Sequence, residues 1–217
     1  MTFIIGRHGT GKSIAAAFFC KDHTISAWHS VTSADRDWGI FASHLEAAVS
    51  CERAAKSQRI PECRSADPEP DEIDAFISEL FKSKDVASLI VIDDLHYLFD
   101  EQWFESLIAA LIAHLPYSTH LFLIARSLPN SPIWRFRSKQ VMNVIDEEIL
   151  YFLSDETIEF YRSQNLSEAE ALTDHLVSFG HPGKLGELVI QRSNRSRPIN
   201  HSSINSMVSE AVHFTNG

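Results

Sequence analysis

Residues 3–13 read Phe-Ile-Ile-Gly-Arg-His-Gly-Thr-Gly-Lys-Ser, a short apolar run that breaks into a glycine-rich loop and ends in Lys-Ser. Gly6, the Gly11-Lys12 pair and Ser13 stand at the G-x-x-x-x-G-K-[ST] spacing of a phosphate-binding loop. That spacing has a physical basis: glycines let the backbone curl until successive N–H groups point inward at phosphate oxygens, where a Cβ would intrude. The loop is therefore read from Gly6 through Arg7, His8, Gly9, Thr10, Gly11, Lys12 and Ser13 to Ile14. A helix is expected to open at Lys12, adding the free N–H groups and positive dipole end of its first turn. Lys12 would reach the β- and γ-phosphates, and the Ser13 hydroxyl would take Mg²⁺. Gly, Lys and Ser are common enough for a chance match. The β-rich run before the loop and the Ala-rich helical stretch after it supply the context that argues otherwise.

Further along, Leu89-Ile90-Val91-Ile92-Asp93-Asp94 is a continuous apolar run closed by two carboxylates, as a strand buried on both faces of a parallel sheet would be. At the carboxyl end of such a strand Asp93 can hold Mg²⁺ and Asp94 can orient the attacking water. A strand ending in a polar turn is the plainer reading, and only the phosphate loop lifts the pair above it. A fourth run, Leu121 to Ala125, ends in Arg126, which can reach a γ-phosphate or simply stand in solvent.

Between these runs the sequence alternates. A β-rich run covers Ile25 to Val31. Asp35-Arg36-Asp37 then caps a helical pattern from Trp38 to about Lys56, and residues 60–71 form a loop with three prolines. Glu72 to Lys84 repeats apolar residues at helical spacing. Trp103 to Leu115 does the same and is stopped by Pro116. A weaker run from Gln140 to Ile145 completes five strands interleaved with helices, an α/β pattern with a parallel sheet covered on both faces.

Composition narrows the function classes. With 19 basic and 29 acidic residues the net charge is −10, which argues against broad nucleic-acid binding through the surface. Three cysteines, Cys20, Cys51 and Cys63, leave an odd count without metal-ligand spacing and fit a reducing, cytoplasmic compartment. No apolar stretch is long enough to span a bilayer, and the N-terminus lacks a basic region before its apolar residues, so neither a membrane span nor a secretory leader is expected. Eleven histidines are scattered without a recognised metal motif. The carboxylates of Asp71, Glu72 and Asp74 read as a solvated cluster at a helix start. No nucleophile elbow of the Gly-x-Ser-x-Gly type is present.

Val91-Ile92-Asp93-Asp94-Leu95-His96, His114-Leu115-Pro116, Leu123 to Pro129, Arg135-Phe136-Arg137 and the stretch from Ile25 to Val49 resemble the ATPase domain of the MalT-type, LuxR-family transcription activators. These belong to the STAND class of P-loop ATPases, related to the AAA+ fold. The resemblance runs from Phe3 to about Ile190. It implies a P-loop NTPase three-layer sandwich whose five-stranded parallel sheet has the order 5-1-4-3-2. It implies Lys12 and Ser13 on phosphate and Mg²⁺, Asp93 and Asp94 as the acidic pair, and Arg126 as the sensor of the γ-phosphate. A small helical domain is implied after the sheet, over 151–192, matching helical patterns at Asp155–Ser163, Leu166–Ser178 and Lys184–Gln191. At Gly180-His181-Pro182 the chain matches the Gly-x-Pro signature whose proline packs on adenine, with His181 in place of the usual aromatic. Pro182 is also well placed simply to start a helix.

The resulting expectation is an α/β core over 1–150, the helical domain over 151–192, and a polar linker over 193–217 that begins a further helix. Family members carry an arm before the phosphate loop and a winged helix after the ATPase. The chain is thus expected to be a nucleotide-binding module lacking both, whether a fragment, a mispredicted gene piece or a stand-alone remnant. Its expected ligands are ATP or ADP with Mg²⁺. No direct DNA binding is expected from this segment, and its protein contacts would be self-association or the regulatory domains absent from it. The expected function is a slow ATPase switch with Asp94, Lys12 and Arg126 as its catalytic groups. The alternative is a non-catalytic interaction module, and a P-loop kinase fits less well because of the paired carboxylates and the helical domain.

Overall fold

A computed structural model describes residues 1–21, 26–49, 67–82, 87–130 and 141–196. The chain divides into two compact units, Met1–Tyr151 and Phe152–Gly217.

The first unit is built on five parallel strands: β1 (Thr2–Ile5), β2 (Ser26–Ser30), β3 (Leu89–Asp93), β4 (His120–Ala125) and β5 (Asn143–Ile145). They lie in the order β2-β3-β4-β1-β5, the 5-1-4-3-2 arrangement read from the other edge. Parallel neighbours cannot be joined by hairpins, so helices must cross over the faces. The side chains follow from this. Phe3, Ile90, Ile92, Leu121 and Leu123 face one core, together with Trp38, Phe41 and Leu45 of α2 (Trp38–Val49), Ile73 and Ile77 of α3 (Pro70–Phe81) and Leu107 and Leu111 of α4 (Phe104–His114). Ile4, Leu89, Val91, Phe122 and Ile124 face the other, with Ala16 of α1 (Lys12–Cys20). Two-sided burial explains why β3 reads as an unbroken apolar run: every residue of it is buried. Trp38, Phe41 and Trp103 pack with ring centroids 5.2 to 5.9 Å apart and anchor α2 to the residue before α4.

Some boundaries move from the sequence expectation, for local reasons. Helix α3 opens at Pro70, not Glu72: proline's fixed φ suits a first helical position, and Glu72 closes a capping box by accepting from Glu69 N–H. Of the Asp35-Arg36-Asp37 triplet only Asp37 caps α2, its Oδ1 accepting from Ile40 N–H at 3.0 Å. Asp35 is fully buried in a 3-10 turn, Ser33–Arg36, where it closes a capping box with Thr32. Asp71, Glu72 and Asp74 are exposed, and Asp74 in addition accepts from His114 Nε2 at 2.8 Å, tying α3 to α4. Residues 50–66, Gln140 and the Arg135-Phe136-Arg137 stretch lie outside the described residues, as do Cys51, Cys63 and 197–217, which take in most of the expected linker.

The second unit holds α5 (Ser154–Ser163), α6 (Glu168–Ser178) and α7 (Pro182–Ser196) around Tyr161, Ala171, Leu185 and Val189. Its buried polar centre is Asp174. That carboxylate accepts from Tyr161 Oη at 2.8 Å and from both Nε and Nη2 of Arg192, so one side chain from each helix meets there. Hydrogen bonding from Arg192 holds the Asp174 carboxyl below its ordinary range, and burial drives the Tyr161 hydroxyl well above its own.

Candidate functional site: a phosphate-binding loop at the carboxyl edge of the sheet

The loop leaves β1 with its register still held, Gly6 N–H donating to Ala125 O of β4 at 3.3 Å. Gly9 and Gly11 take left-handed φ values of 82° and 86°, which glycine alone adopts without strain. Gly6 is fixed by crowding instead: a Cβ there would lie 2.6 Å from Glu147 Cβ and 2.9 Å from Thr10 Oγ1. Thr10 is fully buried and donates its hydroxyl to Arg7 O at 2.9 Å, pinning the turn from inside. Gly11 stands at the N-cap of α1, where no side chain caps the helix. The first-turn N–H groups thus have no side-chain acceptor from the cap, the arrangement that favours an anion. Ser13 and Ile14 are exposed in that turn, as are Arg7 and His8 earlier in the loop.

Lys12 folds back over the loop, its Nζ donating to Arg7 O at 2.9 Å. Burial lowers its pKa, Asp93 and Asp94 raise it, Arg126 lowers it again and Glu147 raises it. The structure therefore brings Lys12, Asp93, Asp94 and Arg126 within electrostatic reach of one another, at the carboxyl ends of β1, β3 and β4. Asp93 is buried and its Oδ1 accepts from Asp94 N–H at 2.8 Å. Asp94 is exposed and sits in the left-handed region at φ 56°, opening the 3-10 turn Leu95–Leu98. Arg126 is exposed just past β4.

Two residues join this group that the sequence did not mark for it. His96 stacks on Tyr97 at 4.6 Å and brings Nδ1 to 3.7 Å from Asp94 Oδ1. Burial lowers its pKa first, and Arg126 lowers it further. Its place in the sequence was visible, but a physical role was not. Glu147 was missed altogether. Its carboxylate accepts from Arg7 backbone N–H at 2.8 Å, from Arg7 Nη2 at 2.8 Å and Nε at 3.0 Å, and from Tyr151 Oη at 3.3 Å. These bonds, those of Arg7 first, hold its pKa down to about 2. The available signal was an arginine inside the loop facing the acidic run Asp146-Glu147-Glu148, which follows the strand that pairs with β1. An open cleft of about 510 Å³ lies here, lined by Gly6, Arg7, Arg126, Leu128, Asp146 and Glu147 among others.

Pro182, the remaining sequence candidate, belongs to the second unit and is the first residue of α7. Gly180 before it adopts φ 75°, and a Cβ there would fall 2.2 Å from Phe152 O. His181 accepts from Lys184 N–H at 3.3 Å across the helix start. The Gly180-His181-Pro182 sequence thus has a local structural reason for each member.

A parallel sheet in this order, with a glycine loop between β1 and α1 and an acidic pair at the end of β3, one strand removed from β1, defines the P-loop α/β fold. The particular relatives are regulators. The chain is 25% identical over 200 residues to the HTH-type transcriptional regulator MalT of Vibrio cholerae, covering 88% of this chain and 22% of that protein. It is 23% identical over 201 residues to the MalT of Vibrio campbellii, with the same shares. The likeness to MalT-type regulators expected from the motifs therefore extends along most of the chain, which spans about a fifth of the length of these relatives. No protein-family profile matches the chain. Among solved structures, AMPPCP-bound DnaA from Aquifex aeolicus aligns over 98% of this chain and 62% of its own, at 14% identity and a TM-score of 0.46.

Proposed function

We propose that this chain is the ATP-binding switch module of a MalT-like transcriptional regulator, hydrolysing ATP slowly. The observation that carries the reading is the convergence on Lys12. A half-buried lysine on a glycine loop, at an uncapped helix start, lies within reach of two carboxylates and an arginine at the ends of adjacent strands. Lys12 and the loop N–H groups from Gly9 to Ile14 would hold the β- and γ-phosphates. Ser13 and Asp93 offer hard oxygen ligands of the kind Mg²⁺ takes, and the buried Asp93 is already oriented by Asp94 N–H. Bound there, the ion supplies neutralisation of the phosphate charge. Asp94 would orient the attacking water, and Arg126 would touch the γ-phosphate. ATP and ADP then differ by a contact, and a switch needs such a differential contact. As part of a transcriptional regulator the module would act in the cytoplasm, against regulatory domains of a longer chain or a second copy of itself. No described helix is long and apolar enough to cross a membrane.

One observation favours a non-catalytic interaction module: the backbone N–H of Arg7 is already taken by the Glu147 carboxylate, so part of the loop is satisfied by the protein itself. Calorimetric titration with ATP and with ADP, each with Mg²⁺, separates the readings. Saturable binding that Lys12→Ala abolishes supports the nucleotide module, and absence of binding by the folded wild-type chain overturns it. In a binding-competent chain, Asp94→Asn is expected to slow phosphate release at least tenfold while leaving ATP affinity within a few fold. Release of free phosphate, with no phosphorylated acceptor, excludes the kinase reading.

A further inference from the structure

His29, Asp35 and His44 form a cluster away from the phosphate loop. His29 is the fourth residue of β2, Asp35 lies in the 3-10 turn that follows, and His44 is on α2. One atom from each, an imidazole nitrogen or a carboxylate oxygen, falls within 4.8 Å of the other two. Asp35 Oδ1 lies 2.8 Å from His44 Nδ1 and 3.2 Å from His29 Nε2. The other carboxylate oxygen is fixed by Thr32, whose N–H and hydroxyl donate to Oδ2 at 2.7 and 2.8 Å. The carboxylate cannot turn away, so Oδ1 stays directed between the two rings.

The decisive feature is His29. Its side chain is 9% exposed, and among the described residues its Nε2 has no hydrogen-bond partner; Asp35 Oδ1 is close but misaligned. An orphaned nitrogen at that depth calls for an acceptor of its lone pair or a donor that the protein does not provide. Burial also favours the neutral imidazole, the form in which a histidine ligates a metal.

We propose that His29 Nε2, Asp35 Oδ1 and His44 Nδ1 bind a divalent transition-metal ion, for which Zn²⁺ is the best match. Two imidazoles and one carboxylate are a familiar zinc donor set, with metal–ligand bonds of about 2.0–2.2 Å. In a tetrahedron such bonds place ligand atoms about 3.3 Å apart. The 3.2 Å pair already fits. The 2.8 Å pair opens by a small rotation of His44, whose side chain is 51% exposed. Thr32 supplies the hydrogen bonds behind the carboxylate that orient a metal ligand. Water would take the fourth position, since His44 is the one exposed member of the three. Because the three ligands come from β2, the turn after it and α2, the ion would staple the outermost strand of the sheet to the helix that covers it. Neither imidazole stands in a recognised metal motif, which is why spacing in the sequence gave no sign of it.

The test uses the full chain, stripped with a chelator and titrated with Zn²⁺ by calorimetry, and with Co²⁺ by visible absorption. One equivalent should bind, with the intense bands of four-coordinate cobalt. His44→Ala removes a half-exposed ligand and should weaken Zn²⁺ binding more than tenfold while the chain keeps its far-UV spectrum. Asp35→Asn should do the same. His114→Ala, on α4, and Asp93→Asn, at the phosphate loop, should leave the affinity within twofold, which separates this site from the one expected for Mg²⁺. Failure of the folded wild type to take up stoichiometric Zn²⁺ overturns the proposal, as does unchanged binding in His44→Ala.

Discussion

At the scale of single residues the phosphate loop is held by Glu147. Its carboxylate receives the backbone and side chain of Arg7, and its Cβ packs where a side chain at position 6 would go. The folded-state pKa of about 2 lies below the ordinary value near 4.5, so this pairing supports the fold above the unfolded pKa and is lost as pH falls through about 2. A carbon-13 carboxyl titration should therefore find Glu147 titrating at about 2, returning toward about 4.5 in Arg7→Ala. Asp94 carries a different constraint. At φ 56° it occupies a conformation that costs a residue with a Cβ about 1 kcal/mol, less for Asp and Asn than for branched side chains. Asp94→Gly should keep or slightly raise thermal stability, whereas Asp94→Val should lose roughly 1–2 kcal/mol in chemical denaturation.

At the scale of elements, β3 and α6 carry the most weight. Ile92 is fully buried on β3, an interior strand of the sheet paired on both sides, and packs in the core beneath the crossover helices. Truncation to Ala removes apolar surface and leaves a cavity, so Ile92→Ala should cost about 2–5 kcal/mol in urea denaturation followed by Trp fluorescence. Helix α6 presents Asp174 to Tyr161 of α5 and Arg192 of α7. Asp174→Ala leaves the buried Tyr161 hydroxyl without its acceptor and removes two bonds of Arg192, which keeps Glu170, with an expected cost of about 1–3 kcal/mol read by amide hydrogen exchange in the second unit. Isosteric Asp174→Asn should lose less, because it retains the acceptor for Tyr161.

At the scale of the whole molecule the charge is the governing property. With a net charge of −10 the chain repels a polyanion, and the cations of the proposed site, Lys12 and Arg126, are assigned to phosphate. Fluorescence anisotropy with a duplex oligonucleotide at about 0.15 M salt should show dissociation no tighter than the non-specific range of roughly 10⁻⁴–10⁻⁶ M. Tight binding would show that a local basic patch outweighs the overall charge.

The loop from Gly6 to Ile14, the strand ending in Asp93 and Asp94, and the alternation of strands with helices were legible in the amino-acid sequence. Each rests on short-range chemistry: glycine conformations, apolar runs, and caps next to the helices they start. The sheet order followed from resemblance, since periodicity cannot say which strands pair. Tertiary structure alone decided the partners that the chain brings together from afar. Glu147 reaches Arg7 because β5 lies beside β1, and His114 meets Asp74 because α4 packs on α3. Asp35, expected beside Asp37 as a helix cap, is instead drawn inside by Thr32 and two histidines. A side chain's neighbours within a turn are set by the local chain, but its neighbours across the fold exist only once the sheet has fixed their positions.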